Sequence, residues 1–275
     1  PILQEKRERF ARPPTRCDLM TAPSIETRDL TIRFGGHTAV DAVSCAFQPG
    51  ELTVIVGPNG AGKTTYFSLI SGQLAPSEGR ILKGGDDITR LSPSARAKAG
   101  IGRAFQLTNL FPKLSVLENV RLAVQAKHGI GPRLFRPASS FRTVADKAYQ
   151  HLKATRLDDV AGLPAAALPH GDQRKLEVAL LLAMEPDIFM FDEPTAGMSV
   201  DEAPVILELI DEIRKDTSKT VLLVEHKMDV VRALADRIIV LNNGELVADG
   251  PPEEVIAMPI VREIYLGIPA DEAAA

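Results

Sequence analysis

Two hydrophobic rhythms alternate along the chain. From Ser24 onward apolar and polar positions alternate with a period of two in IETRDLTIRF, and again in AVSCAF after the Gly35-Gly36 pair, which predicts two strands joined by a turn. LTVIV at 52–56 is continuously apolar instead, the pattern of a strand buried on both faces. A glycine-rich turn follows, KTTYFSLISG takes helical spacing, and GRILKGGDDIT returns as strand and hairpin. Between Ser92 and His170 helical spacing dominates in SPSARAKAG, SVLENVRLAVQA and RTVADKAYQHLKAT, broken by a Gly/Pro-rich loop at 128–137. Strand and helix then alternate: DQRKLEVALLLAM as helix, DIFMFD as strand, DEAPVILELIDEIRK as helix, TVLLVE as strand and KMDVVRALAD as helix. RIIVLNNGELVADG closes the series as a hairpin turning at Asn243-Gly244. This order predicts an α/β protein with a mostly parallel sheet, an antiparallel β subdomain and an inserted helical subdomain over about 91–172.

The ends differ from this pattern. Residues 1–19 carry a Pro-Pro pair and no periodicity, and read as a disordered tail or an extension upstream of Met20, where the ordered pattern begins. The nucleotide-binding domain is expected over 20–250, with 251–275 as a helical extension and short tail.

Composition narrows the function classes. With 275 residues, 45% hydrophobic and 25% charged, the chain can bury a substantial core. Thirty-two basic against 36 acidic residues give a net charge of -4 without a long block of either sign, which argues against a nucleic-acid surface. No apolar run approaches the roughly 18–20 residues that cross a bilayer. Pro1 to Arg16 is polar and basic, unlike a secretory signal. Cys17 and Cys45 form no CxxC, which excludes a disulfide framework or cysteine zinc site and fits a reducing cytoplasm. His37, His128, His151 and His170 show no metal-ligand spacing.

The strongest chemical signal is GPNGAGKT, comprising Gly57, Pro58, Asn59, Gly60, Ala61, Gly62, Lys63 and Thr64, with Thr65 next. It fits GxxxxGK[ST] and lies between a buried strand and a helix, the context the motif requires. The bland alternative is a glycine-rich turn with a solvated lysine, which the strand and helix on either side argue against. In this context backbone N-H groups can wrap phosphates at a helix N-terminus, Lys63 can reach the β and γ phosphates, and Thr64 can ligate magnesium. A second buried strand ends in Asp192 and Glu193. Ligands of a doubly wound sheet bind at strand carboxyl ends, so Asp192 suits the magnesium shell and Glu193 the attacking water. The fold expected is therefore a P-loop NTPase core.

LPHGDQRKLE at 168–177 resembles the signature sequence of ATP-binding cassette (ABC) proteins, usually LSGGQ at the start of a helix. The order of phosphate loop, Gln106 in GIGRAFQ, signature, DE and His226 in LLVEH resembles that family across nearly all of 24–250. The resemblance implies that Phe34 stacks on adenine with Val40 beside it, and that Gln106 touches magnesium and senses a membrane partner. It implies further that Glu193 is the catalytic base and that His226 contacts the γ phosphate. Leu168, His170, Gly171 and Asp172 would face ATP held by a second cassette. Read alone, Gln106 is a polar strand-end residue, His226 a loop histidine and Phe34 a core aromatic.

Two positions depart from the family pattern: Pro169 replaces the usual serine, and Ser199 the usual aspartate after DEPTAGM. Asp172, where glutamine is common, is expected to N-cap the following helix. The segments GIGRAFQLTNLFPKLSVLENVRLAVQA, GPRLFRP, LPHGDQRKLE, DEPTAGMS and PIVREIYLG together resemble ATP-binding subunits of branched-chain amino-acid importers. That implies ATP and Mg2+ as ligands, and as partners a second cassette (a copy or a sister), two membrane permeases and, indirectly, a periplasmic binding protein. The location implied is peripheral, on the cytoplasmic face of a bacterial inner membrane. The alternatives are a non-hydrolysing regulatory cassette, or a different P-loop enzyme, although no NKxD guanine-selecting motif is present.

Overall fold

A computed structural model describes residues 22–104, 110–128, 138–198 and 202–266. The expectations for residues 1–19, Cys17, Gln106 and Ser199 lie outside the described residues. In chain order the elements are β1 (Ile25–Phe34), β2 (His37–Phe47), β3 (Leu52–Val56), α1 (Lys63–Ser71), β4 (Glu78–Lys83), β5 (Asp86–Asp87), α2 (Pro93–Lys98) and β6 (Ile101–Ala104). There follow α3 (Val116–Lys127), α4 (Ala138–Ala154), α5 (His170–Ala183), β7 (Ile188–Asp192), α6 (Ala203–Lys215), β8 (Thr220–Val224) and α7 (Met228–Leu234). The last are β9 (Arg237–Asn242), β10 (Glu245–Gly250), α8 (Pro252–Ala257) and α9 (Pro259–Leu266).

The strands form two sheets. β2-β1-β4-β5 is antiparallel, whereas β10-β9-β3-β8-β7-β6 is parallel from β9 to β6, with β10 antiparallel at its edge. This is the expected P-loop α/β architecture. β6 lies within the mostly helical 91–172 span, yet it forms the far edge of the parallel sheet.

Every residue of β3, β7 and β8 is buried, and their side chains separate onto two faces with the period of two that a strand imposes. Ile55, Met190, Leu222 and Ile239 join one core with α1 and the antiparallel sheet, including Tyr66, Phe67, Ile25 and Phe47. Val54, Phe191, Leu223 and Val240 join a second core on the opposite face. There α6 packs the stripe Val205, Ile206, Leu209, Ile210 and Ile213, whose spacing follows the helical turn. A third core, away from the sheet, unites α3, α4 and α5 through Val120, Val124, Val144, Leu152, Leu176 and Ala179.

Capping and turn chemistry fix the connections. Ser92 and Ser115 each accept a backbone N-H at the start of α2 and α3, satisfying groups that the helix leaves orphaned. Asn243 and Gly244 both have positive φ, at 48° and 82°, as a two-residue hairpin turn requires. At the other end of α1, buried Arg96 donates to the carbonyls of Leu69 and Ile70 and to those of Thr89 and Leu91. The parallel strands β3, β8 and β7 are adjacent and in register, so the segments leaving them share one edge. That edge receives Gly57 after β3, Glu193 after β7 and His226 after β8.

Candidate functional site

The phosphate loop begins where β3 ends. Gly62 precedes α1 with φ 97°, and a Cβ there would run into the carbonyl oxygen of Ala39, so a side chain is excluded both by conformation and by contact. The same close approach brings the start of β2 against the loop. Ala61 packs into the core, whereas Asn59, Gly60 and Thr64 are exposed. The α1 N-terminus therefore opens outward with unpaired amides, an anion-binding arrangement. Lys63 folds back into the loop, its Nζ donating to the carbonyl oxygens of Gly57 at 2.7 Å and Pro58 at 2.9 Å. Burial lowers its pKa, while Glu193 and Asp192 oppose that shift, so both carboxylates lie within electrostatic reach of the ammonium.

Asp192 ends β7 and is 3% exposed. Its Oδ2 accepts a 2.6 Å bond from Nη2 of Arg103, whereas its Oδ1 is buried without a hydrogen-bond partner. Such an orphaned anionic oxygen needs a donor or a cation. Glu193 turns away from the strand with φ 51°, a strained conformation for a residue with a side chain, while its N-H donates to the Val224 carbonyl at 3.0 Å. That turn brings Glu193 Oε1 to 2.6 Å from Nε2 of His226. Thus Lys63, Asp192, Glu193 and His226 are brought to one edge of the sheet.

The oxygen chemistry suits magnesium, which takes one or two protein oxygens and fills its shell with water and phosphate. The orphaned Asp192 Oδ1 and the exposed Thr64 hydroxyl are appropriate donors. Among the described residues no group of three His, Cys, Asp or Glu side chains could hold a metal ion.

Two further parts of the site escaped the sequence reading. Glu225, 3% exposed, accepts from Thr195 Oγ1 at 2.9 Å and from the His226 N-H at 3.0 Å, tying the turn after β7 to the turn after β8. Arg103 is the other. The signal for both is a charged residue embedded in an apolar strand pattern, Arg103 in GIGRA and Glu225 in TVLLVE.

The expected adenine pair separates. Phe34, at the end of β1, is 51% exposed and free to stack on a flat ring. Val40 is fully buried in the core, because the pleat of β2 turns it inward, so its side chain offers an adenine no surface.

The signature residues occupy the start of α5, in the helical region. Pro169 takes the cap position with φ -55° and ψ 159°, the helix runs from His170, and Asp172 is its third residue. Asp172 therefore does not cap the helix, contrary to the sequence expectation. The first helical bond runs from the Gln173 N-H to the Pro169 carbonyl at 3.0 Å, so the cap lies three residues before Asp172. Asp172 instead pairs with Lys175 at 2.8 Å. Leu168 packs into the helical core, His170 is exposed, and a Cβ on Gly171 would meet the Glu202 carboxylate. Among the described residues no hydrogen bond or ion pair joins His170, Gly171 or Asp172 to the phosphate-loop group. No helix of the described residues is long and apolar enough to cross a membrane.

Comparison with known proteins matches residues 40–196 to the ABC transporter family. The chain is 38% identical over 253 residues to the high-affinity branched-chain amino acid transport ATP-binding protein LivG of Escherichia coli (strain K12), covering 90% of this chain and 99% of that protein. BraF of Pseudomonas aeruginosa, which bears the same description, is 36% identical over 254 residues, with 90% and 99% covered. Among solved structures, a nucleotide-free ATP-binding cassette from an ABC transporter superposes with TM-score 0.75 at 29% identity, over 90% of this chain and 100% of that one. A dimeric cassette in a post-hydrolysis state bound to ADP and Pi gives TM-score 0.72 at 28% identity, over 83% and 98%.

Proposed function

The chain belongs to the ABC transporter ATP-binding family, and we propose that it is the ATP-hydrolysing subunit of a bacterial importer for branched-chain amino acids or a related small polar or aromatic solute. The observation that carries this reading is the convergence of Lys63, Asp192, Glu193 and His226 beside the open N-terminus of α1. The relatives described as branched-chain amino acid transport proteins support the cargo class.

In this reading backbone N-H groups of the loop from Asn59 to Thr65, other than that of Ala61, which bonds the Pro58 carbonyl, bind the phosphates, and Lys63 exchanges its bonds to Gly57 and Pro58 for bonds to phosphate oxygen. Phe34 stacks on the adenine. Magnesium, when bound, neutralises phosphate charge, with Thr64, Asp192 and Gln106 as the protein side of its shell. Glu193 takes the proton of the attacking water, and His226, aligned by Glu193 and Glu225, donates toward the γ phosphate. Most of the rate acceleration comes from positioning and charge stabilisation by amides and Lys63 already in place. The signature end of α5 meets ATP held by a second cassette through backbone N-H groups near Gly171 and Asp172, since Pro169 has no hydroxyl to offer.

The remaining partners follow from the same reading: two membrane permeases and, through them, a periplasmic solute-binding protein, with this subunit peripheral on the cytoplasmic face of the inner membrane. Phe111, Leu114 and Leu163 are exposed around the start of α3, an apolar surface suited to a permease segment. The test is size-exclusion chromatography with light scattering on Glu193→Gln, with and without Mg-ATP, beside a hydrolysis assay of the unaltered protein. A nucleotide-dependent shift from monomer to dimer and turnover of ATP are expected. Absence of turnover even with permease and sister cassette supplied would overturn the reading.

A further inference from the structure

Arg103, near the end of β6, takes no direct part in that scheme, yet its guanidinium is bonded to β7, to α1 and to the turn after α1. Nη2 reaches Asp192 Oδ2 at 2.6 Å, and Nη1 reaches Gln73 Oε1 at 2.7 Å, Ser68 Oγ at 3.1 Å and Ser71 Oγ at 3.2 Å. The guanidinium also lies 5.7 Å from the centre of the Phe67 ring. Phe67, Ser68 and Ser71 belong to α1, the helix that the phosphate loop opens. One side chain thereby registers the end of β7 against α1. The side chains of the Arg103–Asp192 pair are 6% and 0% exposed, so water cannot replace either partner without rearrangement.

The bond treats the two oxygens of Asp192 unequally. Oδ2 is occupied, Oδ1 is bare and buried, and rotation of the carboxylate would break the bond to Arg103. We infer that Arg103 is a positioning residue: it holds Asp192 so that a single oxygen, Oδ1, is presented to the divalent cation that accompanies the nucleotide, in register with the phosphate loop. This rests on the reading of Asp192 as a magnesium-shell residue. Arg103 touches neither cation nor nucleotide and acts through Asp192 alone.

The test measures binding rather than turnover, in protein carrying Glu193→Gln. ATP affinity is read by calorimetry in Mg2+ and again in EDTA, and the ratio is the gain due to the cation. Arg103→Met should reduce that gain by about tenfold or more, the usual effect of losing a partner that orients a metal ligand, while the EDTA affinity stays within about twofold. Arg103→Lys should lose less. Asp192→Asn should lose the gain, and adding Arg103→Met to Asp192→Asn should reduce it no further. A gain unchanged by Arg103→Met, an equal fall in Mg2+ and EDTA, or losses that add in the double variant would each overturn the inference and leave Arg103 a purely structural contact. If Arg103→Met does not fold, Arg103→Lys decides the question by the same ratio: a smaller cation gain with unchanged EDTA affinity is expected, and an unchanged gain would overturn the inference. No cation gain in the Glu193→Gln parent would instead overturn the proposed function itself.

Discussion

At the sheet edge Lys63, Arg103 and Asp192 are buried and each bonded within the chain, and Glu193 is held by His226. At the start of α5, Pro169 and His170 are exposed, and Asp172 pairs with Lys175, one turn on. Both regions present a helix N-terminus, so both can attract phosphate. The first aims a lysine, two carboxylates and a histidine at it, whereas at α5 the Glu202 carboxylate lies against buried Gly171 and Asp172 pairs with Lys175. In the proposed reading the first region binds nucleotide with groups of its own chain, whereas the second, where Glu202 lies against Gly171, meets nucleotide only across a pair of cassettes. Substitutions at the sheet edge should therefore register in the isolated protein, and those at α5 only when two cassettes meet.

The sharpest separation comes from Glu193→Gln. Removing a positioned base should lower ATP turnover by about 10²–10⁴-fold, with ATP affinity within about threefold of the unaltered protein. Steady-state hydrolysis and equilibrium binding on one preparation check this, and full activity would sink the assignment of the base. Lys63→Ala comes next. It removes charge-assisted bonds to phosphate and should weaken ATP binding by about 10²–10³-fold. Retained affinity would show that the loop amides alone carry the phosphates.

Gly171→Leu tests the other side of the comparison. The glycine does not need a positive φ, and its nearest obstacle is the flexible end of Glu202, so the helix should fold around the larger side chain. ATP affinity of the single chain should be unchanged, while turnover at concentrations that pair cassettes falls by about tenfold or more as the α5 end is pushed off the partner's phosphate. A loss of affinity in the monomer would mean that α5 belongs to the same-chain site, and the distinction between the two regions would fail.

Legibility in the sequence follows the same division. The phosphate loop, β3, β7 and β8 could be read directly because their determinants are local: a fixed glycine spacing and continuous apolar runs. Glu193 stands at the end of such a run, whereas His226, a loop histidine when read alone, was singled out only by the family resemblance. What joins them was not. The partners of Arg103 lie 30 to 89 residues away, and the Thr195–Glu225 bond spans 30. No periodicity encodes those pairings, since each depends on which strands become neighbours. Val40 failed through facing: a family position set it beside adenine, but the pleat and bulged pairing of β2 with β1 point its side chain into the core. Asp172 failed because the first helical bond runs from the Gln173 N-H to the Pro169 carbonyl, which places the cap three residues before it.

The smallest effect probes the ground between the two regions. His151 on α4 lines a groove of about 330 Å³ whose floor includes Leu182 of α5, Phe189 of β7 and Ile213 of α6, with Glu212, Asp216 and Lys219 also around it. Burial lowers its pKa below the usual 6.5, with Lys147 pushing the same way and Glu185 opposing. The fold thus prefers the neutral ring. Between the folded pKa and 6.5 the unfolded chain binds more protons than the folded one, so this contribution to stability is present above 6.5 and is lost as pH falls through that window. Thermal midpoints taken from pH 8 down to about 5.5 should fall less steeply in His151→Gln than in the unaltered protein. Equal slopes would mean that the groove hydrates the imidazolium without cost. Because His151 lies at the seam rather than at the phosphate loop, its protonation should weaken the packing of the helical region on the sheet while ATP affinity per folded molecule changes little.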